Sequence, residues 1–523
     1  MSLQWQLSRK VPEDIAAVGE ALFAPGNSYR QIGDRFDELF PDERVFEGMY
    51  DDRGRGAISP LLLALVTVFQ MWERVPDRLA AQWVVSRLDW KYALHLSLDY
   101  AGFHFTDLSA FRQRLVKNDQ ERLIFDQVLQ RLKGLGLIKR RGKVRSDSTH
   151  LLGVVERLSQ LELVTESIRV ALKAVLATAP EWATEKLPPS FCEAYEKRQR
   201  EYGLGLDKVR EKLLQAGQDG FWFLTQIDQS SLGAIQQLPE VAVLRTVLKQ
   251  QFPSGSGGPP ATGRPTGQEV IESPHEPQVR YGTKRGKGWL GYKGQVTESC
   301  DKQTPNLLFD LEPTGALDND SPELPKIQAR LEAQGITPGE QYVDQGYMSG
   351  KHLVKSAAQG ITLMGVLPAD TQGPEGFRQT DFGIDEEEQQ ATCPAGKSNR
   401  VWSVRKDEYI QIRFDGKTCQ QCDNFGKCTK SPQGRSLTLH PYRAAIIERR
   451  AEAETDTFKK KLWLRSGIEG TISELMRGHE FRRARYRGEE KLRLQGYFTA
   501  VAVNLKRTTR WWAQLKAVAG AAY

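Results

Sequence analysis

Between Trp289 and Tyr347 the chain changes element type in an order that few folds accommodate. WLGYKGQVTES (289–299) and NLLFDLEP (306–313) read as paired strands, ELPKIQARLEAQG (323–335) as an amphipathic helix, and EQYVDQGY (340–347) as the next strand. Strand, strand, helix, strand describes a mixed α/β sheet. Upstream, LGLIKRRGKVRSDSTHLLGVV (135–155) adds a basic lead-in and a short strand-like run ending at Asp147.

Two aspartates share one setting. Asp147 in VRSDST and Asp344 in YVDQGY each close a predicted strand. For either alone, a turn or helix cap is an adequate explanation. Together they begin a site for hard divalent cations, which prefer carboxylate oxygens, and a third acid completes it. The best candidate lies in RSGIEGTISELMRGHEF (465–481), where Ile468, Ile472, Leu475 and Met476 define a buried helix face. Glu469 borders that stripe, with Ser473 and Arg477 following at steps of four. Glu474 and Glu480 are weaker choices, and His150 reads as structural. Asp310 and Asp318 read as turn residues.

The remaining sequence is divided by composition. At 523 residues the chain exceeds one ordinary domain. With 39% hydrophobic and 27% charged residues it is globular rather than disordered. Its longest apolar run, LLLALVTVF (61–69), is far short of the roughly 20 residues of a membrane span. The N-terminus has no secretory signal, so a cytoplasmic protein is expected. Residues 1–135 read as helical, with Ser59 capping and Pro60 opening SPLLLALVTVFQMWERV, and suit a DNA-binding unit. Then come the first strands of the core (136–151), a helical insertion (152–252), a Gly/Pro/Ser linker (253–277) expected to be exposed and mobile, and the rest of the core (278–365). A β-rich insertion (366–440) and C-terminal helices (441–523) complete the order. The net charge is +7, and RGHEFRRARYRG (477–488) concentrates arginine in a way that attracts phosphates, although a solvated surface explains it equally. Cys393, Cys419, Cys422 and Cys428 have the residue type and proximity for a tetrahedral structural Zn²⁺, with VWSVRKDEYIQIRF as a hairpin between the first two. Cys192 and Cys300 stand apart as incidental thiols.

VRSDSTHL, GYKGQV, YVDQGYMSG and IEGTISELMRGHEFRRARYRG…AVNLKR, in that order, resemble DDE transposases of bacterial insertion sequences. The branch is the large one with a helical N-terminal domain and a cysteine cluster between the second and third acids. ISPLLLALV, LDWKYALHLSL and FTDLSAFRQRL match it too. The resemblance implies a ribonuclease H-like core with Asp147 on the first strand, Asp344 on the fourth and Glu469 on a later helix. It also implies Arg465 as the arginine that precedes the glutamate in related enzymes. Leu462 and Met476 stand where those enzymes carry tyrosine and lysine; Arg477 is the available substitute, and the departure weighs against a hairpin-forming route. The chemistry implied is cleavage at transposon ends and strand transfer into target DNA. Two Mg²⁺ ions (Mn²⁺ as an alternative) about 3.5–4 Å apart would activate the nucleophile and neutralise the leaving oxygen. Lys293, Arg465, Arg477, Arg482, Arg483, Arg485 and Arg487 are the expected DNA contacts, and the partners are terminal inverted repeats, target DNA and a second copy of the chain. Competing readings are a Mg²⁺ nuclease without strand transfer and a decayed copy that only binds DNA.

Overall fold

The computed structural model describes residues 2–3, 7–51, 53–200, 203–255, 258–284, 286–406 and 408–520. Its centre is a six-stranded mixed sheet: β1 (Lys143–Leu152), β2 (Arg280–Lys284), β3 (Lys287–Ser299), β4 (Leu308–Gly315), β5 (Glu340–Val343) and β6 (Thr362–Met364). β3 runs antiparallel to β1, and it also pairs with β2 near its start and with β4 along the rest. β1, β5 and β6 run parallel. The helix Glu323–Ala333 makes the crossover from β4 to β5, burying Leu324, Ile327 and Leu331. Such a crossover is what a parallel neighbour requires.

β1 does not stop at Asp147. It continues to Leu152 because β3 pairs with it along its length, from Val144 opposite Ser299 to Leu152 opposite Gly291. On its other edge, β5 accompanies only Lys143–Ser146. Asp147 is therefore mid-strand toward β3 and just past the end of the ladder toward β5. The local pattern showed only the second of these.

The helix Pro60–Glu73 is opened by Ser59, whose hydroxyl accepts the Leu62 N–H at 3.0 Å. Every residue from Pro60 to Met71 is buried, as expected of a helix apolar all round. It packs against the C-terminal helix Glu489–Gly520, which also covers β4. Asn504 of that helix clamps β4 by accepting the Leu308 N–H (2.7 Å) and donating to the Leu308 carbonyl (2.9 Å). N-terminal helices, sheet and C-terminal helix thus share one hydrophobic core. The helices between 160 and 251 build a second core of their own, and the first is opened by a Ser159–Glu162 capping box. Two three-stranded sheets between 383 and 439 enclose a small third core around Ile412, Phe414 and Leu437.

Two expectations change. The segment 253–277, of which residues 256 and 257 lie outside the described residues, is anchored along its second half. Val270 and Ile271 are buried, and the buried Glu276 accepts the Tyr292 hydroxyl (2.9 Å) and the Gly488 N–H (2.8 Å). Asp310 is not a turn residue either. It is fully buried on β4, where it pairs with Arg122 at 3.1 Å and Arg330 at 2.6 Å.

Candidate active site

Ser146 and Val343 are the last partners of the parallel β1–β5 ladder. The next residue on each strand is an aspartate, so Asp147 and Asp344 emerge side by side at roughly the 4.8 Å spacing of neighbouring strands. Asp344 is exposed, and its carboxylate accepts the Gln345 N–H at 2.7 Å, capping the turn Gln345–Tyr347. Asp147 is half-buried and accepts the Ser148 N–H at 2.7 Å. Burial lifts the Asp147 carboxyl above its ordinary range and Asp344 adds to the rise; the Ser148 N–H, Arg465 and Lys284 oppose it without cancelling it. Tyr347 is wholly buried, and its hydroxyl is pushed well up by burial and by Asp320, Asp147 and Asp344 together.

The third acid arrives on the short helix Ile468–Ser473, which widens into a single wider turn over Glu474–Gly478. Ile468 and Leu475 are fully buried, while Glu469, Ser473 and Arg477 face solvent. The preceding turn, Trp463–Gly467, brings Arg465 over β1. Its Nη1 lies 3.2 Å from Asp147 Oδ2 and its Nη2 lies 3.9 Å from Glu469 Oε1. One guanidinium therefore spans the first and third acids.

A buried ion network fixes that helix to the sheet. Glu298 of β3 is fully buried and accepts from Arg145 Nε, Arg507 Nη1 and the Thr471 hydroxyl at 2.7, 2.7 and 2.6 Å. Arg507 goes on to Glu474 at 2.7 Å, and Arg145 donates to the Leu464 carbonyl at 2.9 Å. Gly467 is needed beside it: a Cβ there would stand 1.8 Å from Arg145 Nη1. Arg145 and Asp147 alternate onto one face of β1, so the network sits directly beside the acids.

The expected phosphate contacts divide. Arg477, Arg483 and Arg487 are exposed. Arg482 instead donates to Thr149 Oγ1 (3.3 Å) and the His150 carbonyl (2.5 Å), bracing β1. Arg485 donates to the Val75 carbonyl at 2.9 Å, and His479 Nδ1 lies 3.2 Å from the Met71 carbonyl. Much of the basic segment is thus a seam to the N-terminal helices. Lys293 donates to the Asp318 carbonyl at 2.5 Å and lies 3.5 Å from Asp320. Two neighbours of the site, Asp320 and Lys284, and the exposed Trp463 on the segment leading to Arg465 carried no functional reading in the sequence. Asp320 lay hidden in a helix-start pattern, DNDSPEL, and Lys284 in a hairpin end. Trp463 is 79% exposed, and a tryptophan two residues before Arg465 was the available signal.

Among the described residues, no group of three or more His, Cys, Asp or Glu side chains is placed to hold a metal ion. The ready-made cages expected at both sites are therefore not found. At the acids, Arg465 occupies the gap. The donor set itself, three carboxylates on strand ends and a helix, fits a hard divalent cation. Cys393, Cys419, Cys422 and Cys428 are free thiols lining one cavity. Burial raises the Cys428 thiol, Arg435 opposes the rise, and the other three cysteines add to it.

A family model described as a transposase DDE domain matches residues 392–509, and a second, a transposase domain (DUF772), matches residues 18–114. These two matches support a DDE transposase of an insertion sequence. No curated protein and no solved structure matches the chain. The first match takes in Glu469 and the four cysteines of this chain, and the second takes in most of its N-terminal helices. Asp147 and Asp344 lie outside both, so their place in the site rests on the strand register. No helix among the described residues is long and apolar enough to cross a membrane.

Proposed function

We propose that this transposase cuts DNA at the ends of a mobile element and joins the freed 3′-hydroxyls to target DNA, with Asp147, Asp344 and Glu469 as its catalytic acids. The carrying observation is the β1–β5 register, which sets Asp147 beside Asp344, with Arg465 linking Asp147 to Glu469. A ribonuclease H-like core is supported by a run of β4, β3, β1, β5 and β6 in which only β3 opposes β1 directly and β5 and β6 follow β1 in parallel.

The three carboxylates would hold Mg²⁺, or Mn²⁺ in its place. When bound, a pair of such ions lowers the nucleophile's pKa and neutralises the leaving oxygen. Asp147, with Asp344 beside it on the neighbouring strand and Glu469 reached through Arg465, would be the central ligand of such a site. The Glu298 network keeps the glutamate helix at a fixed height over β1, since a site 1 Å too loose loses most of its effect. Arg477, Arg483 and Arg487, with the exposed Lys459, Lys460 and Lys461, are the phosphate contacts. The four cysteines, which line one cavity, would hold one structural Zn²⁺ as thiolates. Two copies of the chain pair the two DNA ends, and the protein works in the cytoplasm on the nucleoid.

The test incubates purified protein with labelled duplexes taken from the DNA flanking its gene, Mg²⁺ and a target plasmid. Joined products are expected. Cleavage without joining indicates a nuclease, and a mobility shift alone refutes the catalytic reading.

A further inference from the structure

We infer that Arg465 makes DNA a prerequisite for metal binding: its guanidinium is a resident counter-ion that bars divalent cations until a phosphodiester draws it away. The inference rests on the catalytic reading of Asp147, Asp344 and Glu469 given above.

Both oxygens of Asp147 are engaged. Oδ1 takes the Ser148 N–H at 2.7 Å, and Oδ2 faces Arg465 Nη1 at 3.2 Å. The other terminal nitrogen of the same guanidinium reaches Glu469 at 3.9 Å. A divalent ion held by these acids would compete with Arg465 for Asp147 Oδ2 and would sit beside a fixed positive charge. In a half-buried cleft that repulsion is weakly screened.

The backbone under Arg465 is pinned, whereas its side chain is not. Arg145 holds the Leu464 carbonyl and crowds Gly467, and Ser466 Oγ donates to the Trp463 carbonyl at 2.8 Å. The Arg465 side chain is 25% exposed and meets solvent at the mouth of the site. Exposed Lys459, Lys460, Lys461 and Trp463 precede it on the same segment. A nucleic-acid strand guided along that edge offers phosphate oxygens that suit the planar guanidinium fork at least as well as one Asp oxygen and a distant Glu. Once the arginine turns to phosphate, Asp147 and Glu469 lose the guanidinium between them, Lys284 is the remaining cation acting on Asp147, and the cleft attracts a metal cation more strongly. By linkage, metal and DNA must strengthen each other by the same factor.

Mn²⁺ binding to the full chain, read by electron paramagnetic resonance, tests this without turnover. In the absence of DNA, Arg465→Gln is expected to bind Mn²⁺ about tenfold tighter than wild type or more, with Arg465→Lys close to wild type. A duplex of random sequence, its own Mn²⁺ binding subtracted, is expected to raise wild-type affinity by a similar factor and to leave Arg465→Gln unchanged. Adding Asp147→Asn to Arg465→Gln is expected to abolish the gain. Equal Mn²⁺ affinity in wild type and Arg465→Gln overturns the inference, and so does a gain that survives Asp147→Asn. Failure of the catalytic reading shows separately, as wild type that gains Mn²⁺ with DNA yet never cuts it.

Discussion

Replacing Glu298 with glutamine removes one negative charge from the centre of the network that carries the glutamate helix. Glu298 is fully buried, and it is the carboxylate that Arg145, 9% exposed, pairs with at 2.7 Å. Arg507 loses one of two acids, keeping Glu474 at 2.7 Å. Breaking a buried pair from one side costs about 3–5 kcal/mol, because the surviving charge is left in a poor solvent. Since Glu474 cushions Arg507, the lower end applies, about 3 kcal/mol. The loss falls on the junction of β1, β3 and the helix Ile468–Ser473, where opening is local. Hydrogen–deuterium exchange of peptides spanning 466–478 is therefore expected to quicken about 150-fold, at about 1.4 kcal/mol per factor of ten. Peptides from the helix Leu206–Asp228, which belongs to a separate hydrophobic core, should be unaffected. Glu474 is 24% exposed, so Glu474→Gln should cost only about 1 kcal/mol, roughly fivefold in the same peptides. Strand cleavage should fall with Glu298→Gln although Glu298 is wholly buried and its partners are Arg145, Thr471 and Arg507. Exchange within threefold of wild type in the 466–478 peptides would refute the reasoning, because the helix would then be held by its apolar face alone.

Three further outcomes are expected. Asp147→Asn, Asp344→Asn and Glu469→Gln should each lower the cleavage rate by roughly a thousandfold or more, the scale of losing several kcal/mol of transition-state charge stabilisation, while melting temperature stays near wild type. Burial and Lys506 depress His479 to about 4, from 6.5, against the smaller opposing pull of the Met71 carbonyl. Being depressed, its contribution to stability is present above pH 6.5 and is lost as pH falls through 4, a loss of about 3 kcal/mol that His479→Gln should remove from a melting-versus-pH curve. Purified protein should carry one Zn²⁺ per chain by atomic emission, and a chelator that strips it should loosen the 383–439 sheets; protein without Zn²⁺ would leave the four cysteines as reduced thiols.

The sequence shows the acids more clearly than it shows what surrounds them, and the reason lies in which atoms do the placing. Asp147 and Asp344 are carried by backbone pairing, and a strand-like run meeting turn residues is a local signal that survives in the linear text. Glu469 is carried by a helix whose apolar stripe, Ile468, Leu475 and Met476, is equally local. Side-chain partners across long separations leave no such trace. Asp310 looked like a turn residue because one of its arginines, Arg122, is 188 residues away. The arginines of 477–488 looked alike in charge, yet Arg482 and Arg485 face backbone carbonyls on β1 and at Val75, and charge density says nothing about where a carbonyl will be. The linker misled for a related reason. Its Gly and Pro content describes backbone freedom, whereas Val270, Ile271 and Glu276 fix it by burial and by acceptors on other elements. Arg465 combines both cases: its spacing from Glu469 is legible as one helical turn, but the 3.2 Å approach to Asp147 depends on how the Trp463–Gly467 turn crosses β1. Replacing Gly467 would therefore disturb the acids through Arg145 rather than through any contact of its own with them.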